Sequence, residues 1–308
     1  MRRLSLLIIG LVLGAVLLYG CYWFFKSGEK AGAQFGKPEI RGISHKWGNV
    51  TPSTTEIITD VIVYNPNPFS LPLKDVEAEV RMNNIKIGEG TALKAGIGAH
   101  ERSDIVLSTK IDNGKIPEFW VSHIHNREKS TMNVKAQLIF DLKVTEFKYP
   151  IEISRPIETD LLAGLSSEEP KKVDAGPVTL TIERMSSHWG DVSEQSTEII
   201  TLATIRNDNM IPVPITKFRY SVKFNDIKIA EGSSDVDVII QPKSEATLTF
   251  VTKIDNQMLD EWWVSHIRNG EMTDVHIQLQ PVVEIAGEEF AFTLAEEETS
   301  FETNLLQE

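Results

Sequence analysis

The sequence has a single cysteine, Cys21, and no excess of basic residues. One cysteine cannot form an intramolecular disulfide, so cysteine usage assigns no cellular compartment. Lysine and arginine number 31 against 44 aspartate and glutamate residues, which gives a formal net charge of −13. Nucleic-acid binding draws on clustered basic side chains, and the sequence has neither a basic stripe nor a glycine-rich phosphate loop. Nucleic acid is therefore excluded as a partner.

Most of the chain has the composition of a folded protein. Hydrophobic residues make up 41% of it and both signs of charge are well represented, which argues against global disorder. At 308 residues the chain is longer than one small core requires, so we expect about two domains.

Long apolar runs are absent except at the N-terminus, where Arg2 and Arg3 precede an uncharged segment of 22 residues from Leu4 to Phe25. A helix needs roughly 20 apolar residues to cross the hydrocarbon layer of a membrane. Three aromatic residues that suit the membrane interface, Tyr19, Tyr22 and Trp23, lie near its end. The sequence predicts a membrane anchor over residues 1–26, followed by a linker over 27–37.

Two other N-terminal signals compete with the anchor. A cleaved signal peptide has a shorter apolar region and a small-residue exit, and neither is present. A lipoprotein signal would use Cys21, which follows Gly20. Tyr19 is bulky for that pattern, and aromatic residues follow the cysteine where a polar tether belongs. The anchor is favoured and lipoprotein processing at Cys21 is the alternative.

The orientation of this anchor rests on few charges. Arg2 and Arg3 on one side face Lys26, Lys30 and Lys37 on the other, which leaves little positive-inside asymmetry. A short charged start followed at once by an apolar run resembles a signal anchor, so we expect a single-pass protein with its domains on the extracytoplasmic side. Beyond residue 26 the chain has 28 basic and 44 acidic residues, a formal charge of −16 that disfavours anionic headgroups.

The chain contains an internal duplication. A shift of 142 positions aligns HKWGNV at 45–50 with SHWGDV at 187–192, and it aligns two identical TEIIT runs at 55–59 and 197–201. After one more residue of drift, the run WVSHI at 120–124 recurs at 263–267. We therefore expect two domains, 38–162 and 178–308, joined by a polar linker at 163–177 that contains glycine and proline.

Within each copy the apolar residues alternate with polar ones. In the first copy the inward positions are Val76, Ala78, Val80 and Met82, and their partners in the second are Phe218, Tyr220, Val222 and Phe224. This period of two predicts half-buried strands, and Asn83-Asn84 and Asn225-Asp226 predict hairpin turns. Further strands are expected near 38–45, 55–64, 103–111, 132–143 and 146–154. About seven short strands in each copy predict a mainly β fold of two tandem β-sandwiches.

One segment of each copy has the period of a helix. Its apolar positions are Ile116, Phe119, Trp120 and Ile124 in the first copy, and Leu259, Trp262, Trp263 and Ile267 in the second. Spacings of three, four and eight fit one helix face, so we expect Phe119, Trp120 and Ile124, with Trp262, Trp263 and Ile267, to pack on the sheet. Asp112 or Asn113, and Asp255 or Asn256, are the expected caps.

The serine and histidine of WVSHI do not predict catalysis. Ser122 and His123 are consecutive on a helix, about 100° apart, whereas a nucleophile and its base must converge. His123 and His125 point to different sides of the helix, and Arg268 replaces the second histidine in the other copy. We expect no catalytic, metal-binding or cofactor-binding residues. An enzyme that uses Ser122 and His123, or the acidic pair Glu56 and Asp60, is the least favoured hypothesis.

A family resemblance rests on the end of the second predicted strand. Asn65-Pro66-Asn67, followed by a strand that closes on a short asparagine turn before IKIGEG, is similar to the LEA14-like or WHy (water stress and hypersensitive response) domain of the late embryogenesis abundant group 2 superfamily. The second copy retains Asn207 and Asn209 but has Asp208 where proline is expected. The likeness covers residues 38–160 and 178–305.

The resemblance implies a seven-stranded β-sandwich with one helix and no enzymatic activity. It associates the chain with desiccation and other stress responses, and membrane-anchored members of the family are proposed to bind or transfer lipid through an apolar groove. We therefore expect a membrane-anchored, noncatalytic stress-protective or interaction module, with lipid binding as the alternative. The expected partners are the membrane, lipid and other proteins.

Overall fold

The computed structural model describes residues 38–141, 146–162 and 165–302, which are mainly β-strand with two short helices. The described residues form two compact units. Unit 1 runs to His123 and includes Lys129–Glu158, and unit 2 contains Ile124–Glu128 and Thr159–Glu302. The boundaries expected from the repeat, 38–162 and 178–308, stay a prediction. The expected anchor from Leu4 to Phe25, with Cys21, lies outside the described residues.

Unit 1 contains the expected seven strands in a single antiparallel sheet. The strands are β1 (Glu39–Val50), β2 (Thr54–Tyr64), β3 (Leu73–Met82), β4 (Ile85–Lys94), β5 (Arg102–Asp112), β6 (Lys129–Asp141) and β7 (Glu146–Glu158). Their order across the sheet is β1-β2-β5-β4-β3-β6-β7. The sheet is therefore continuous through the β4–β5 pair.

Unit 2 has nine strands in two antiparallel sheets. They are β8 (Lys171–Ala175), β9 (Val178–Val192), β10 (Ser196–Asn207), β11 (Val213–Phe224), β12 (Ile227–Ile240), β13 (Ser244–Asp255), β14 (Met272–Ile285), β15 (Glu288–Ala291) and β16 (Ala295–Glu302). One sheet has the order β13-β10-β9-β8, and the other has β12-β11-β14-β15 with β16 also paired to β14.

The prediction of about seven strands is wrong for unit 2, and its first additional strand lies in the expected linker. Val173 and Ala175 alternate with polar residues and are buried. Gly176 has φ +62 and closes a tight turn that folds β8 onto β9, where Ala175 pairs with Val178. Gly176 and Pro177 thus form the hairpin turn between β8 and β9, and the described residues 165–170 of the expected linker precede this hairpin.

The alternation predicted for β3 is confirmed, because Val76, Ala78, Val80 and Met82 are all 9% exposed or less. In unit 2 the core joins both sheets, since the rings of Phe218 on β11 and Phe250 on β13 lie 4.6 Å apart. Unit 2 is thus a β-sandwich. The inward positions of β11 differ from the expectation, because Phe218 and Val222 are buried whereas Tyr220 and Phe224 are half-buried.

The hairpin turns between β3 and β4 and between β11 and β12 are confirmed. Asn83 and Asn84 have φ 48 and 69, and Asn225 and Asp226 have φ 50 and 33. Two successive residues of positive φ form the turn type that matches the twist of a hairpin, and asparagine and aspartate tolerate it better than other side chains.

The helix of each unit follows the fifth strand of the repeat. In the first repeat a 3₁₀ turn at Asn113–Lys115 continues into α1 (Ile116–His125), and in the second repeat Asn256–Met258 continues into α2 (Leu259–Arg268). Asp112 caps the first by accepting a hydrogen bond from the Gly114 amide at 3.0 Å, and Asp255 does the same for the Gln257 amide. Neither helix in this part of the chain has the length and apolarity needed to cross a membrane.

Candidate functional site

The repeated WVSHI segment lies on α1 and α2, as expected, but its histidine is part of the buried face. His123 and Ile124 are 4% exposed, and His266 and Ile267 are 1% and 4% exposed. The expected packing residues Phe119, Trp120, Trp262 and Trp263 are half-buried at the rim of this face. Trp262 packs against Phe224 of β11, with ring centroids 5.5 Å apart. The helical spacing in the sequence covered only the apolar positions, so it did not reveal that these two histidines are buried.

Each histidine is bonded to a hydroxyl on the strand that follows its helix. His123 Nδ1 lies 2.7 Å from Ser130 Oγ of β6, and His266 Nδ1 lies 2.7 Å from Thr273 Oγ1 of β14. The sequence separation is seven residues in both units. The indole of Trp262 also donates to Thr273 Oγ1 at 3.0 Å. The bond between histidine and hydroxyl connects the C-terminal part of the helix to the following strand in the same way in both copies.

The serine of WVSHI is bonded to the asparagine of the hairpin turn. Asn83 Nδ2 donates to Ser122 Oγ at 3.0 Å and to Ser130 Oγ at 2.9 Å, and Asn83 Oδ1 accepts from the Thr131 amide. In unit 2 the side chain of Asn225 donates to Ser265 Oγ at 3.0 Å. Ser122 and His123 therefore bond to different partners, and the cluster joins helix, turn and strand.

Burial lowers the pKa of His266 to about 4, against an ordinary value of 6.5. The nearby Glu271 carboxylate and the Met272 backbone oppose this shift without cancelling it. His266 is thus neutral at pH 7 and acts there as a hydrogen-bonding core residue.

The side chains of the family-motif asparagines form hydrogen bonds at the end of the second strand of each repeat. Asn65 is fully buried, and its Nδ2 donates at 2.8 Å to the carbonyls of Phe69 and Gly98. Its Oδ1 accepts from the amide and side chain of Asn67. Asn207 repeats the arrangement with the carbonyls of Ile211 and Ile240 and with both nitrogens of Asn209. Pro66 lies between the first pair.

The acidic pair Glu56 and Asp60 lies on β2, and each carboxylate has its own partners. Glu56 accepts from the Ser108 hydroxyl and from the Asn49 amide, and the Ser108 bond holds the pKa of Glu56 below its usual value. Asp60 lies 3.7 Å from the Lys46 ammonium. A lowered pKa keeps Glu56 ionised at neutral pH, so it is a poor general acid.

Metal ligands do not cluster in the part of the chain that the structure describes: no three histidine, cysteine, aspartate or glutamate side chains there are arranged to hold an ion. His125 is exposed at the end of α1, while His123 is buried. The two histidines point to different sides, as their spacing predicts.

Comparison with known proteins agrees with this repeated scaffold. The family described as Late embryogenesis abundant protein (LEA_2) matches residues 60–155 and again residues 202–290, which together are more than half of the chain. The chain belongs to this family. Both matches contain the asparagine turn and the helix of a repeat, so this late embryogenesis abundant (LEA) protein carries two copies of the family domain.

Three relatives are each similar to the LEA protein over a length close to that of one repeat. An uncharacterized protein of Methanocaldococcus jannaschii is 27% identical over 134 residues, covering 41% of this chain and 74% of the relative. A crystal structure of a protein from Archaeoglobus fulgidus is 34% identical with a TM-score of 0.38, covering 41% of this chain and 99% of that chain. A solution structure from Arabidopsis thaliana is 16% identical with a TM-score of 0.29, covering 41% and 83%.

The second LEA repeat departs from the motif at Asp208, and the structure shows what this aspartate contacts. Its carboxylate accepts from Arg206 at 2.8 Å and from the Thr181 hydroxyl at 3.3 Å, and its carbonyl accepts from Lys243. Side-chain bonds thus hold the turn that proline restricts in the first repeat.

Sequence reasoning missed a second pair of buried asparagines in the LEA protein. Asn113 accepts from the Thr55 hydroxyl at 2.8 Å, and Asn256 accepts from Thr197 at 2.9 Å. The sequence predicts both residues only as alternatives to the aspartate caps. The recurrence of threonine and asparagine at the same places of the two copies was the signal that could have revealed them.

Proposed function

We propose that this LEA protein is a noncatalytic stress-protective or interaction module of the LEA14-like, or WHy, type, held at a membrane by residues 1–26. The family match over both repeats carries the proposal. We place the domains on the extracytoplasmic side, because the short charged start before Leu4 resembles a signal anchor.

Two features of the structure support a protective role. The side chains that first suggested chemistry, Ser122, His123 and their counterparts, are hydrogen-bonded within the scaffold. Beyond residue 26 the 28 basic and 44 acidic residues give a formal charge of −16, which makes the surface of the folded domains acidic. Net charge keeps folded domains soluble through mutual repulsion, and we infer that it does so for this protein as water is withdrawn.

The test is protection during drying. The full-length protein would be dried and rehydrated with a desiccation-sensitive enzyme, and recovered enzyme activity would be compared with that after drying with an equal mass of serum albumin. We expect higher recovery with the LEA protein. A variant with Asn65→Ala and Asn207→Ala, which disrupts the buried turn in each repeat, should protect less. Recovery no better than with albumin would contradict the proposal.

Lipid binding within the sandwiches is the alternative proposal. It requires an apolar space open to an acyl chain, whereas the inward residues of β3 in unit 1 are 9% exposed or less. Native mass spectrometry of the full-length protein after incubation with a membrane lipid extract tests it. Stoichiometric lipid retained by a folded protein would favour lipid binding over protection.

A further inference from the structure

The exposed large apolar side chains of unit 1 lie at one end of its sheet. Within the described residues of this unit they are Ile62, Phe69 and Leu93, with exposed fractions of 36%, 37% and 62%. Ile62 lies two residues before the end of β2, Phe69 lies in the loop that follows, and Leu93 is next to last in β4. No large apolar side chain is exposed among the residues described at the opposite end of the unit. Exposed apolar residues that cluster mark a candidate interaction surface.

Two segments form this end, and hydrogen bonds join them. We use the term loop surface for residues 65–73 and 93–99. The buried side chain of Asn65 donates at 2.8 Å to the carbonyl of Phe69 in the first segment and to that of Gly98 in the second. The amide of Leu71 donates to the carbonyl of Ile97 at 2.8 Å. The motif asparagine thus fixes the loop that presents Phe69 against the loop that follows Leu93.

The loop surface is almost free of charge. Its first segment has no charged side chain and its second has one, Lys94, although 24% of the whole chain is charged. At its rim Glu101 and Arg102 are exposed and have opposite charges. The long stem of a lysine lets its ammonium group stay in water while the stem lies on an apolar phase. Contact with a lipid interface would therefore cost this surface little desolvation of charge.

The corresponding end of unit 2 has a different character. Met210 and Ile211 are exposed there, in the loop after β10. Asp208 in the same loop, and Asp235 and Asp237 near the end of β12, are exposed as well. A carboxylate on a short stem cannot reach water from a lipid interface as lysine can, so burial of this end would desolvate negative charge. The almost uncharged apolar surface is therefore a property of unit 1.

The chain enters unit 1 beside the loop surface. Glu39, the first residue of β1, pairs with Tyr64 at the end of β2, and Tyr64 also pairs with Arg102. Residues 26–38 separate Glu39 from the proposed anchor. A chain of this length spans roughly 20 Å if it is flexible and at most about 45 Å if it is extended. The tether therefore leads to the loop surface, and the opposite end of the unit lies a further ~35 Å away along β2.

We propose that the loop surface of unit 1 lies on the bilayer that holds residues 1–26. Phe69 and Leu93 enter the interfacial region, and Lys94 remains among the headgroups. A weak surface contact suffices, because the tether makes it an intramolecular one and two membrane signals act together. The inference names membrane lipid as the partner for the interaction role proposed above, and it rests on the proposed anchor. It requires no cavity in the sandwich, and protection during drying does not depend on it.

The test locates the two ends of unit 1 relative to lipid. Cys21→Ala leaves the chain without cysteine, so a cysteine introduced elsewhere carries a single nitroxide spin label. Ala95→Cys labels the loop surface, and Ser53→Cys labels the exposed turn between β1 and β2. The full-length protein is placed in phosphatidylcholine nanodiscs. Spin relaxation then compares collisions with oxygen, which concentrates in lipid, and with a neutral nickel chelate, which stays in water. We expect the oxygen-to-nickel ratio to be several-fold higher at position 95 than at position 53.

Matched variants test which side chains make the contact. Phe69→Ser combined with Leu93→Ser removes the exposed apolar groups, and we expect the ratio at position 95 to fall to that at position 53. Met210→Ser, which changes the corresponding end of unit 2, is the control and should leave the ratio at position 95 unchanged. Circular dichroism checks that each variant is folded. If the double variant does not fold, Leu93→Ser alone replaces it, since this side chain is 62% exposed, and it should lower the ratio.

Two results would overturn the proposal while the anchor stands. One is equal ratios at positions 95 and 53 in protein that co-elutes with the nanodiscs. The other is an unchanged ratio at position 95 in the folded serine variant, which would show that the label and not the protein seeks the lipid. Protein that does not co-elute with the nanodiscs would instead refute the anchor, and this inference with it. The two failures are thus distinguished by co-elution.

Discussion

Buried amides, more than apolar side chains, define the turns of this protein at the scale of single residues. Asn65, Asn113 and their counterparts Asn207 and Asn256 are all fully buried. An asparagine side chain offers one acceptor and two donor hydrogens, so a single residue can satisfy backbone groups from two or three segments. Each amide therefore substitutes for ladder bonds at a point where a strand has ended.

Replacement of Asn65 by alanine tests this role. The carbonyls of Phe69 and Gly98 and the amide of Asn67 would lose their partner, so we expect the free energy of unfolding to fall by about 2–4 kcal/mol. Asn126→Ala is the control, since Asn126 is exposed at the end of α1, and it should change stability by less than about 0.5 kcal/mol. Denaturant unfolding measures both. Equal effects of the two substitutions would contradict a structural role for the motif.

The buried imidazole of His266 makes a prediction about pH. Its pKa is about 4 in the folded protein and near 6.5 when unfolded, so between these values the unfolded state binds more protons. The stability that neutral His266 contributes is complete above pH 6.5 and is lost as the pH falls towards 4. The shift corresponds to roughly 3 kcal/mol.

The measurement compares unfolding free energies of the unmodified protein and His266→Gln from pH 7 to pH 4. We expect the advantage of the unmodified protein to shrink by roughly 3 kcal/mol over this interval. Asn126→Ala, which removes an exposed and uncharged side chain, should give a profile parallel to that of the unmodified protein. A constant difference between the unmodified protein and His266→Gln would show that the imidazole keeps an ordinary pKa.

At the scale of strands and helices, much of the fold could be predicted because periodicity is local. The inward residues of β3, the asparagine hairpin turns and the helix after β5 each follow from a spacing of two or 3.6 residues or from a tolerance of positive φ. The strand β8 was missed because the GP turn beside it resembles a linker. The pairing of β4 with β5, and its absence between β12 and β13, could not be predicted because it depends on contacts across the sheet, which spacing along the chain does not reveal.

The pairing of β4 with β5 in unit 1 leads to a prediction at Gly88. In Gly88→Ala the new methyl group would meet the Lys110 carbonyl, so we expect β4 to separate from β5 and the free energy of unfolding to fall by about 1–3 kcal/mol. Faster amide exchange along β4 and β5 would report the separation. Gly114→Ala is the control, because its Cβ would meet only the side chain of Asp112 at 3.3 Å and should leave exchange unchanged. Retained protection between β4 and β5 in Gly88→Ala would show that glycine is not what closes the sheet.

At the scale of the whole molecule, the two repeats share the hydrogen bonds that connect their elements and differ in their interior side chains. The bonds of His123, Asn65 and Asn113 recur with nearly equal lengths in unit 2. The interior position of Ala78 has become Tyr220, and Gly88 has become Ala230. A hydrogen bond between two elements requires a fixed geometry of its polar atoms. The interior of a sandwich tolerates a change in side-chain volume, because its sheets can shift. Two copies of one fold can thus differ in what they expose.

The membrane tether is the last prediction at this scale. If Leu4 to Phe25 spans a membrane, a variant without this segment should move from the membrane fraction to the soluble fraction after expression. Cys21→Ala keeps the apolar run intact, so it should stay with the membrane through a carbonate wash and run at the same mass as the unmodified protein. Release of Cys21→Ala from the membrane, or a mature protein that begins at Cys21 and incorporates labelled fatty acid, would instead establish lipoprotein processing. Protease added outside intact cells then tests the orientation, because domains on the extracytoplasmic side should be cleaved and cytoplasmic domains should be protected.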